Sequence, residues 1–211
     1  MNTMILICAA WDEETKYLKV DQDKIKILHL GIGYLEAALN LEKYLLNLRL
    51  EKPQINYLKE ISCIYFLGTA GLMSDTDIDW DFPVFSVSQS LISLPNSILH
   101  RAYVPKPYAE YHLGIDKNLE LEKALSISSL EITMSKDLSR EICSAYNSTL
   151  VLENMELYGV AKVAHRFGLS INAILGVTNI TGMQAHEQWS SQHQAVSKLL
   201  CETLTKSLAK L

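Results

Sequence analysis

Short apolar runs alternate along this chain with longer segments in which apolar residues recur at helical spacing. The short runs have the length of strands buried within a sheet that is covered on both faces. They lie at residues 4–10, 25–30, 63–67, 83–88, 130–134, 148–152 and 171–177. Seven strands are therefore predicted.

The segments with helical spacing carry apolar residues along one side. They lie at residues 12–18, 35–48, 119–125, 138–146, 155–167 and 192–211. Residues 93–116 contain three of the five prolines and show no period, so an irregular excursion is predicted there. The alternation of strands and helices predicts a three-layer α/β domain.

Composition and charge restrict the class of protein. Of the 211 residues, 48% are hydrophobic and 20% are charged, which is typical of one globular domain spanning residues 1–211. The formal charge is −5 and the basic residues are scattered, so neither nucleic acid nor an anionic membrane is an expected partner. Residues 4–10 are followed by acidic residues and no run has membrane length, which predicts a cytoplasmic protein.

The cysteines and histidines give no sign of a disulfide framework or of a metal site. The four cysteines lie far apart, without a Cys-x-x-Cys pair, and are expected to be reduced thiols. The six histidines lack the spacing of metal ligands. No metal and no cofactor is expected.

Polar residues follow two of the predicted strands. Glu153-Asn154-Met155-Glu156 follows residues 148–152, and Thr178-Asn179 ends the run at 171–177. Open α/β sheets bind ligands at the ends of their strands, so these polar groups are predicted to meet there. Taken alone, Glu156 could bind sugar hydroxyls or serve a helix N-terminus, and Asn179 could be a turn residue.

Other candidate residues also have two interpretations when each is taken alone. Glu14 follows the first strand, where it could act as a general base or simply begin a solvated helix. The pairs Gly31/Gly33 and Gly68/Gly71 allow close approach of a ligand to the backbone, but they also occur in ordinary turns. The first pair lacks the third glycine of a dinucleotide fingerprint.

Together these motifs resemble the superfamily of purine nucleoside phosphorylases and nucleosidases. The resemblance is greatest to 5'-methylthioadenosine/S-adenosylhomocysteine nucleosidases and futalosine hydrolases. It covers nearly the whole chain in family order and is weakest at residues 80–130. The matching motifs are Ala10-Trp11-Asp12-Glu13-Glu14, Gly31-Ile32-Gly33, Gly68-Thr69-Ala70-Gly71, Asn154-Met155-Glu156 and Val177-Thr178-Asn179.

The resemblance implies a phosphorylase/hydrolase-like αβα sandwich with a mixed central sheet, and an N-glycosyl hydrolase that works as a homodimer. It implies that Glu14 activates the attacking water, that Met155 packs beneath the ribose and that Glu156 binds ribose hydroxyls. Gly68, Thr69, Ala70 and Gly71 match a loop beside base and sugar. Asn154 and Thr178 belong to the matching motifs and are expected to bind substrate, and Asn179 matches the residue that engages the purine at N7.

Asn179 indicates a 6-oxopurine nucleoside as the substrate. An amide NH₂ can donate to both O6 and N7 of hypoxanthine, whereas adenine presents an amino donor beside N7. Asn179, Gly182 and Trp189 together resemble the futalosine hydrolase pattern, which predicts futalosine and a role in menaquinone synthesis.

Three alternatives remain open. An adenine nucleosidase could tolerate Asn179. A phosphorylase would need arginines near its glycine motif, and no arginine lies within ten residues of Gly31-Ile32-Gly33. Leu175 stands where relatives commonly carry Arg, and Asn154 stands where many carry Glu, so a nucleoside-binding protein without catalysis is the third alternative.

Overall fold

A computed structural model describes residues 4–51, 53–54, 56–73, 83–92, 110–146, 148 and 150–210. In this part of the chain, one sheet of eight strands forms the centre of the molecule. The strands are β1 (Met4–Ala9), β2 (Ile25–His29), β3 (Ile61–Met73), β4 (Val84–Ile92), β5 (Glu110–His112), β6 (Lys123–Ser128), β7 (Val151–Glu153) and β8 (Ile171–Ile180).

The sheet is mixed, as expected. Its order is β2-β1-β3-β7-β6-β4-β5, and β8 pairs with both β3 and β4. Strand β7 is antiparallel to β3, and β8 is antiparallel to β4 but parallel to β3. The pairings β3–β7–β6–β4–β8–β3 therefore close a ring of five strands, which includes part of the long strand β3.

A single turn of 3₁₀ helix and five α-helices accompany these strands in the described residues. The 3₁₀ turn is Asp12–Glu14. The α-helices are α1 (Tyr34–Glu51), α2 (Tyr57–Glu60), α3 (Lys136–Ala145), α4 (Leu157–Arg166) and α5 (Ala185–Leu208).

The hydrophobic core has a separate layer on each face of the sheet. Leu6 and Cys8 of β1 pack in one cluster with side chains of α1 and α4. Ile7, between them in sequence, packs in a second cluster with Val196 and Leu200 of α5. Successive side chains of a strand point to opposite faces, so a run that is apolar throughout can be buried on both. This confirms the three-layer sandwich.

Some predicted elements were wrong. Residues 119–125 form no helix. Residues 119–122 have no regular structure, and β6 begins at Lys123. Residues 130–134 form no strand, and Leu130, Ile132 and Met134 are 71%, 51% and 55% exposed. Alternating apolar residues matched the period of a strand, but they lie in a loop between β6 and α3.

Among the other predicted elements, two helices and the irregular excursion differ most from the structure. Helix α5 begins at Ala185, seven residues before the predicted start. The predicted helix at 12–18 is only the 3₁₀ turn. Of the irregular excursion at 93–116, residues 93–109 lie outside the described part, and β5 occupies Glu110–His112.

The four cysteines are free thiols, as predicted. Burial raises the pKa of Cys8 to about 12 and that of Cys201 to about 11. No helix in the described ranges combines the length and the apolar character that a membrane span requires.

Candidate active site

A cavity of about 310 Å³ opens at the end of β1, β3, β7 and β8. This volume is within the range of sites for small molecules. Nine of the ten predicted site residues line it: Glu14, Thr69, Ala70, Gly71, Asn154, Met155, Glu156, Thr178 and Asn179. Gly68, the tenth, does not.

Glu14 is held in one orientation by three donors. The backbone N–H of Ala10 donates to Oε2 at 2.9 Å. The backbone N–H and the hydroxyl of Thr69 donate to Oε1 at 2.8 and 3.2 Å. The 3₁₀ turn and the close passage of β3 beside β1 thus bring Thr69 to a carboxylate 55 positions away in the chain, and Glu14 is only 3% exposed.

Burial raises the pKa of Glu14 to about 7, against the partial opposition of the hydrogen bonds from Thr69 and Ala10. The carboxylate of Glu156 raises the pKa of Glu14 further, because two negative charges in a buried site repel one another. A group with this pKa can accept a proton near neutral pH, as a general base must.

Glu156 stands at the start of α4, opposite the Gly31-Ile32-Gly33 turn. Its Oε1 accepts the Gly33 backbone N–H at 2.8 Å, and its Oε2 accepts from Asn154 Nδ2 at 3.1 Å. Gly33 adopts φ +90°, where a side chain would be strained, and this turn aims its N–H at the carboxylate. Burial raises the pKa of Glu156.

Asn154 joins the segment after β7 to strand β3. Its Nδ2 also donates to the Thr69 carbonyl at 3.0 Å, and its Oδ1 accepts the backbone N–H groups of Glu156 and Leu157 at 3.1 and 2.9 Å. This side chain therefore holds the backbone at the start of α4 and orients Glu156. The next residue, Met155, is half-buried in the cavity wall.

The Gly68-Thr69-Ala70-Gly71 motif was expected to be a loop, and this was wrong, because all four residues belong to β3. The two glycines leave room for polar side chains beside them. A Cβ on Gly71 would lie 2.8 Å from Asn179 Nδ2, and one on Gly68 would lie 2.9 Å from the Phe66 ring and 3.1 Å from Asn154 Nδ2. Gly68 thus contributes space behind the site rather than lining it.

Asn179 lies half-buried near the end of β8. Its Oδ1 accepts from the Thr178 hydroxyl at 2.9 Å, and that hydroxyl also lies 3.2 Å from the Ala70 carbonyl. With Oδ1 turned to Thr178, the NH₂ group is the part of this amide left for a ligand. Among the described residues, Nδ2 has no hydrogen-bond partner.

Several lining residues were not assigned to the predicted site. Trp11, Trp189 and His193 stack near the cavity, with the rings of Trp189 and His193 4.7 Å apart and those of Trp11 and Trp189 6.1 Å apart. Ile32, Ile132, Glu153 and His186 also line the cavity. Spacing on α5 could have indicated the aromatic group, since residues 186, 189 and 193 share one helical face.

Comparison of the whole chain with solved structures identifies the fold around this cavity. A variant of Helicobacter pylori 5'-methylthioadenosine/S-adenosylhomocysteine nucleosidase, with 5'-methylthioadenosine in its active site, superposes with a TM-score of 0.78 at 15% identity over 100% of both chains. A Helicobacter pylori futalosine hydrolase variant gives 0.77 at 15% identity, over 99% of this chain and 100% of that one.

The chain has the nucleosidase fold. A Streptococcus pneumoniae nucleosidase in complex with 8-aminoadenine gives a TM-score of 0.75 at 15% identity, over 99% of this chain and 100% of that one. No protein-family model matches the sequence, and the search of curated proteins found no match. The resemblance read from the motifs is thus confirmed at the level of the fold.

The nucleosidase fold here surrounds its cavity with carboxylates, amides and aromatic rings. Within the described ranges, no group of three or more His, Cys, Asp or Glu side chains is arranged to hold a metal ion. The lining contains no lysine or arginine from those ranges. The arrangement offers a ligand the carboxylates of Glu14, Glu153 and Glu156 and the amide donor of Asn179.

Proposed function

We propose that this protein is a nucleosidase that hydrolyses the N-ribosidic bond of a 6-oxopurine nucleoside. The observation that carries the proposal is the arrangement of the cavity. A carboxylate with a pKa near 7, Glu14, shares it with a second carboxylate, Glu156, and with the amide of Asn179. The likeness to nucleosidase structures supports the same class of reaction.

Glu14 acts as the general base in this proposal. It takes a proton from water as the water oxygen bonds to C1' of the ribose, and the bond from C1' to the base breaks with its electrons passing to the base. General-base help of this kind contributes roughly 10² to 10⁴-fold. Ala10 and Thr69 donate to the carboxylate from the protein side, and its remaining lone pairs face the cavity.

Glu156 and Met155 bind the ribose. Each oxygen of the Glu156 carboxylate has one protein donor and lone pairs to spare, so it can accept from ribose hydroxyls. Positive charge builds on the sugar as the bond breaks, and two carboxylates nearby stabilise it. Met155 supplies an apolar surface beneath the ring.

Asn179 recognises the base. Its NH₂ donates to N7 and O6 of a 6-oxopurine and stabilises the electrons that collect on the departing base. Futalosine, the 6-oxopurine nucleoside of menaquinone synthesis, is the proposed substrate, and 5'-methylthioadenosine is the competing candidate.

Water is the proposed nucleophile. Phosphorylases hold a phosphate dianion with cationic side chains, and no lysine or arginine of the described residues lines this cavity.

The proposal is tested by incubating the protein with futalosine, inosine, 5'-methylthioadenosine and S-adenosylhomocysteine, each with and without phosphate. Release of hypoxanthine from a 6-oxopurine nucleoside in phosphate-free buffer is the expected result. Release only with phosphate would identify a phosphorylase, and release of adenine alone would identify an adenine nucleosidase. A protein that binds these nucleosides and releases no base would be a binding protein without catalysis.

We further propose that the protein is a homodimer. Ile32 and Ile132 line the cavity yet are 68% and 51% exposed, and Leu35 and Leu39 of α1 are 61% and 53% exposed. Large apolar side chains that are exposed near one another indicate a surface that a partner covers. A second copy of this chain is the proposed partner.

A further inference from the structure

A buried carboxylate that none of the proposed steps uses also faces the cavity. Glu153 is the last residue of β7, is 6% exposed and lines the cavity. Its partner is Thr133, whose backbone N–H lies 3.2 and 3.1 Å from the two carboxylate oxygens and whose hydroxyl donates to Oε1 at 2.6 Å. The Ser129 hydroxyl also lowers the pKa of this carboxyl, and Oε2, which shares the Thr133 N–H, retains a lone pair that can accept from a ligand.

The register of three strands places Glu153 on the same row as Asn179. Gly71 of β3 pairs with Glu153 of β7 on one side and with Asn179 of β8 on the other. Residues paired in register point to the same face of a sheet. Two strand spacings separate the outer residues by ~10 Å at the backbone, and the residue between them has no side chain.

This row has the polarity of a slot for a flat base. Gly71 has no side chain, so the amide NH₂ of Asn179 extends over it, and the Glu153 carboxylate stands on the other side of Gly71. Ile132, from the loop that Thr133 anchors, also lines the cavity and supplies an apolar surface. The two ends differ chemically, because Asn179 offers a donor and an ionised Glu153 can only accept.

A 6-oxopurine matches that polarity along one edge. It presents acceptors at N7 and O6 and a donor at N1–H, whereas adenine presents an unprotonated N1 that would face the carboxylate lone pairs. We propose that Glu153 is a specificity-determining residue that accepts the N1–H of a 6-oxopurine base while Asn179 donates to its O6 and N7. This inference rests on the proposed function and adds a second recognition group to it.

Thr133 is a positioning residue in this scheme. Burial raises the pKa of Glu153, and the two donors of Thr133 offset part of this shift because they favour the ionised form. The Thr133 carbonyl accepts the Gly182 N–H at 3.1 Å, so the loop that carries Ile132 is also tied to the segment after β8. If Glu153 did no more than anchor this loop, its loss would lower the affinity for all bases by the same factor.

The test measures binding of free bases by calorimetry, which does not depend on turnover. We expect the unaltered protein to bind hypoxanthine at least ~10-fold more tightly than adenine or 1-methylhypoxanthine, since hydrogen bonds to charged groups discriminate at about this level. In Glu153→Gln the affinity for hypoxanthine should fall to within about threefold of the affinities for adenine and 1-methylhypoxanthine. Glu120→Gln, which removes an exposed carboxylate outside the cavity lining, is the matched control and should keep the preference for hypoxanthine.

An unchanged hypoxanthine-to-adenine ratio in Glu153→Gln would overturn the inference, and so would an equal loss for both bases. If the variant does not fold, the unaltered protein still decides: 1-methylhypoxanthine binding as tightly as hypoxanthine rules out an N1–H contact. Failure of the proposed function looks different. In that case nucleosides would not be cleaved, while the preference for hypoxanthine and its dependence on Glu153 would remain.

Discussion

Glu14 and Glu156 place two carboxylates in one buried cavity, and their repulsion is part of the chemistry available there. Both are almost fully buried, and the pKa of each is raised, chiefly by burial. Backbone N–H groups from Ala10, Thr69 and Gly33 offset part of this cost. The two carboxylates thus have similar environments. Their proposed roles differ because Glu14 faces the attacking water and Glu156 faces the ribose hydroxyls.

Glu14→Gln is expected to lower turnover by roughly 10² to 10⁴-fold, because Gln cannot accept the proton of water. Circular dichroism should show an unchanged fold. Glu13→Gln is the matched control, since Glu13 pairs with the exposed Lys16 and does not line the cavity. Equal turnover in both variants would remove Glu14 from the mechanism.

The pH dependence of the reaction should report the same group. Only the ionised form of Glu14 can act as a base, so kcat/KM is expected to rise with pH through about 7 and then level off. Any residual activity of Glu14→Gln should lack this rise. A profile that is flat between pH 5.5 and 8.5 in the unaltered protein, measured with saturating coupling enzymes, would contradict the assignment.

Asn179→Asp is expected to shift preference toward adenine nucleosides by about tenfold or more. A protonated Asp can donate to N7 and accept from the adenine amino group, which Asn cannot do with its NH₂ turned to the ligand. The measurement is the ratio of kcat/KM for inosine to that for 5'-methylthioadenosine. Thr181→Val, beside β8 and outside the cavity lining, serves as the control. If the unaltered protein and both variants gave the same ratio, Asn179 would not determine the preference between the two bases.

At the scale of elements, glycines allow the close approaches that bring the site together. Gly71 leaves space for the Asn179 amide on the neighbouring strand. Gly159 of α4 lies against α1, where an added Cβ would be 1.9 Å from the Tyr34 carbonyl oxygen. The first neighbour is the end of a flexible side chain and the second is backbone, so the two positions should respond differently to the same substitution.

Gly71→Ala is expected to lower kcat/KM by ~10² with little change in stability, because the displaced group is a ligand-binding side chain. Gly159→Ala should instead lower the free energy of unfolding by about 1–3 kcal/mol, since the helices must separate. Activity assays and urea unfolding of both variants make the comparison. A large loss of stability in Gly71→Ala, with unaltered kinetics in the folded fraction, would contradict this view of β3.

At the scale of the whole molecule, apolar side chains that solvent still reaches lie in the cavity lining, at Ile32 and Ile132, and on α1, at Leu35 and Leu39. If a second copy covers them, Leu39→Asp should convert the dimer to a monomer, as measured by analytical ultracentrifugation, and should raise KM by exposing the site. Leu199→Asp, on α5 and only 38% exposed, is the control and should leave the dimer intact. A monomeric unaltered protein at micromolar concentration would refute the homodimer.

The sequence by itself determined the layers of the fold, because burial follows local period. Continuous apolar runs at residues 4–10 and 63–67 predicted strands covered on both faces, and the helical spacing at 35–48 predicted α1. Exposure was less predictable: Leu35 and Leu39 belonged to the predicted apolar face but are more than half exposed. The spacing of apolar residues shows which residues share one face of a helix, but it does not show what covers that face.

Only the tertiary structure decided how the polar residues meet. The sequence predicted that the ends of two strands would bring Glu156 and Asn179 together, but β7 runs antiparallel to β3, and Gly71 of β3 lies between Glu153 and Asn179. Register between strands distant in the chain depends on the packing of the whole sheet, so local pattern cannot encode it. For the same reason Glu153 looked like one acidic residue in a polar run until its strand partners placed it across the slot from Asn179.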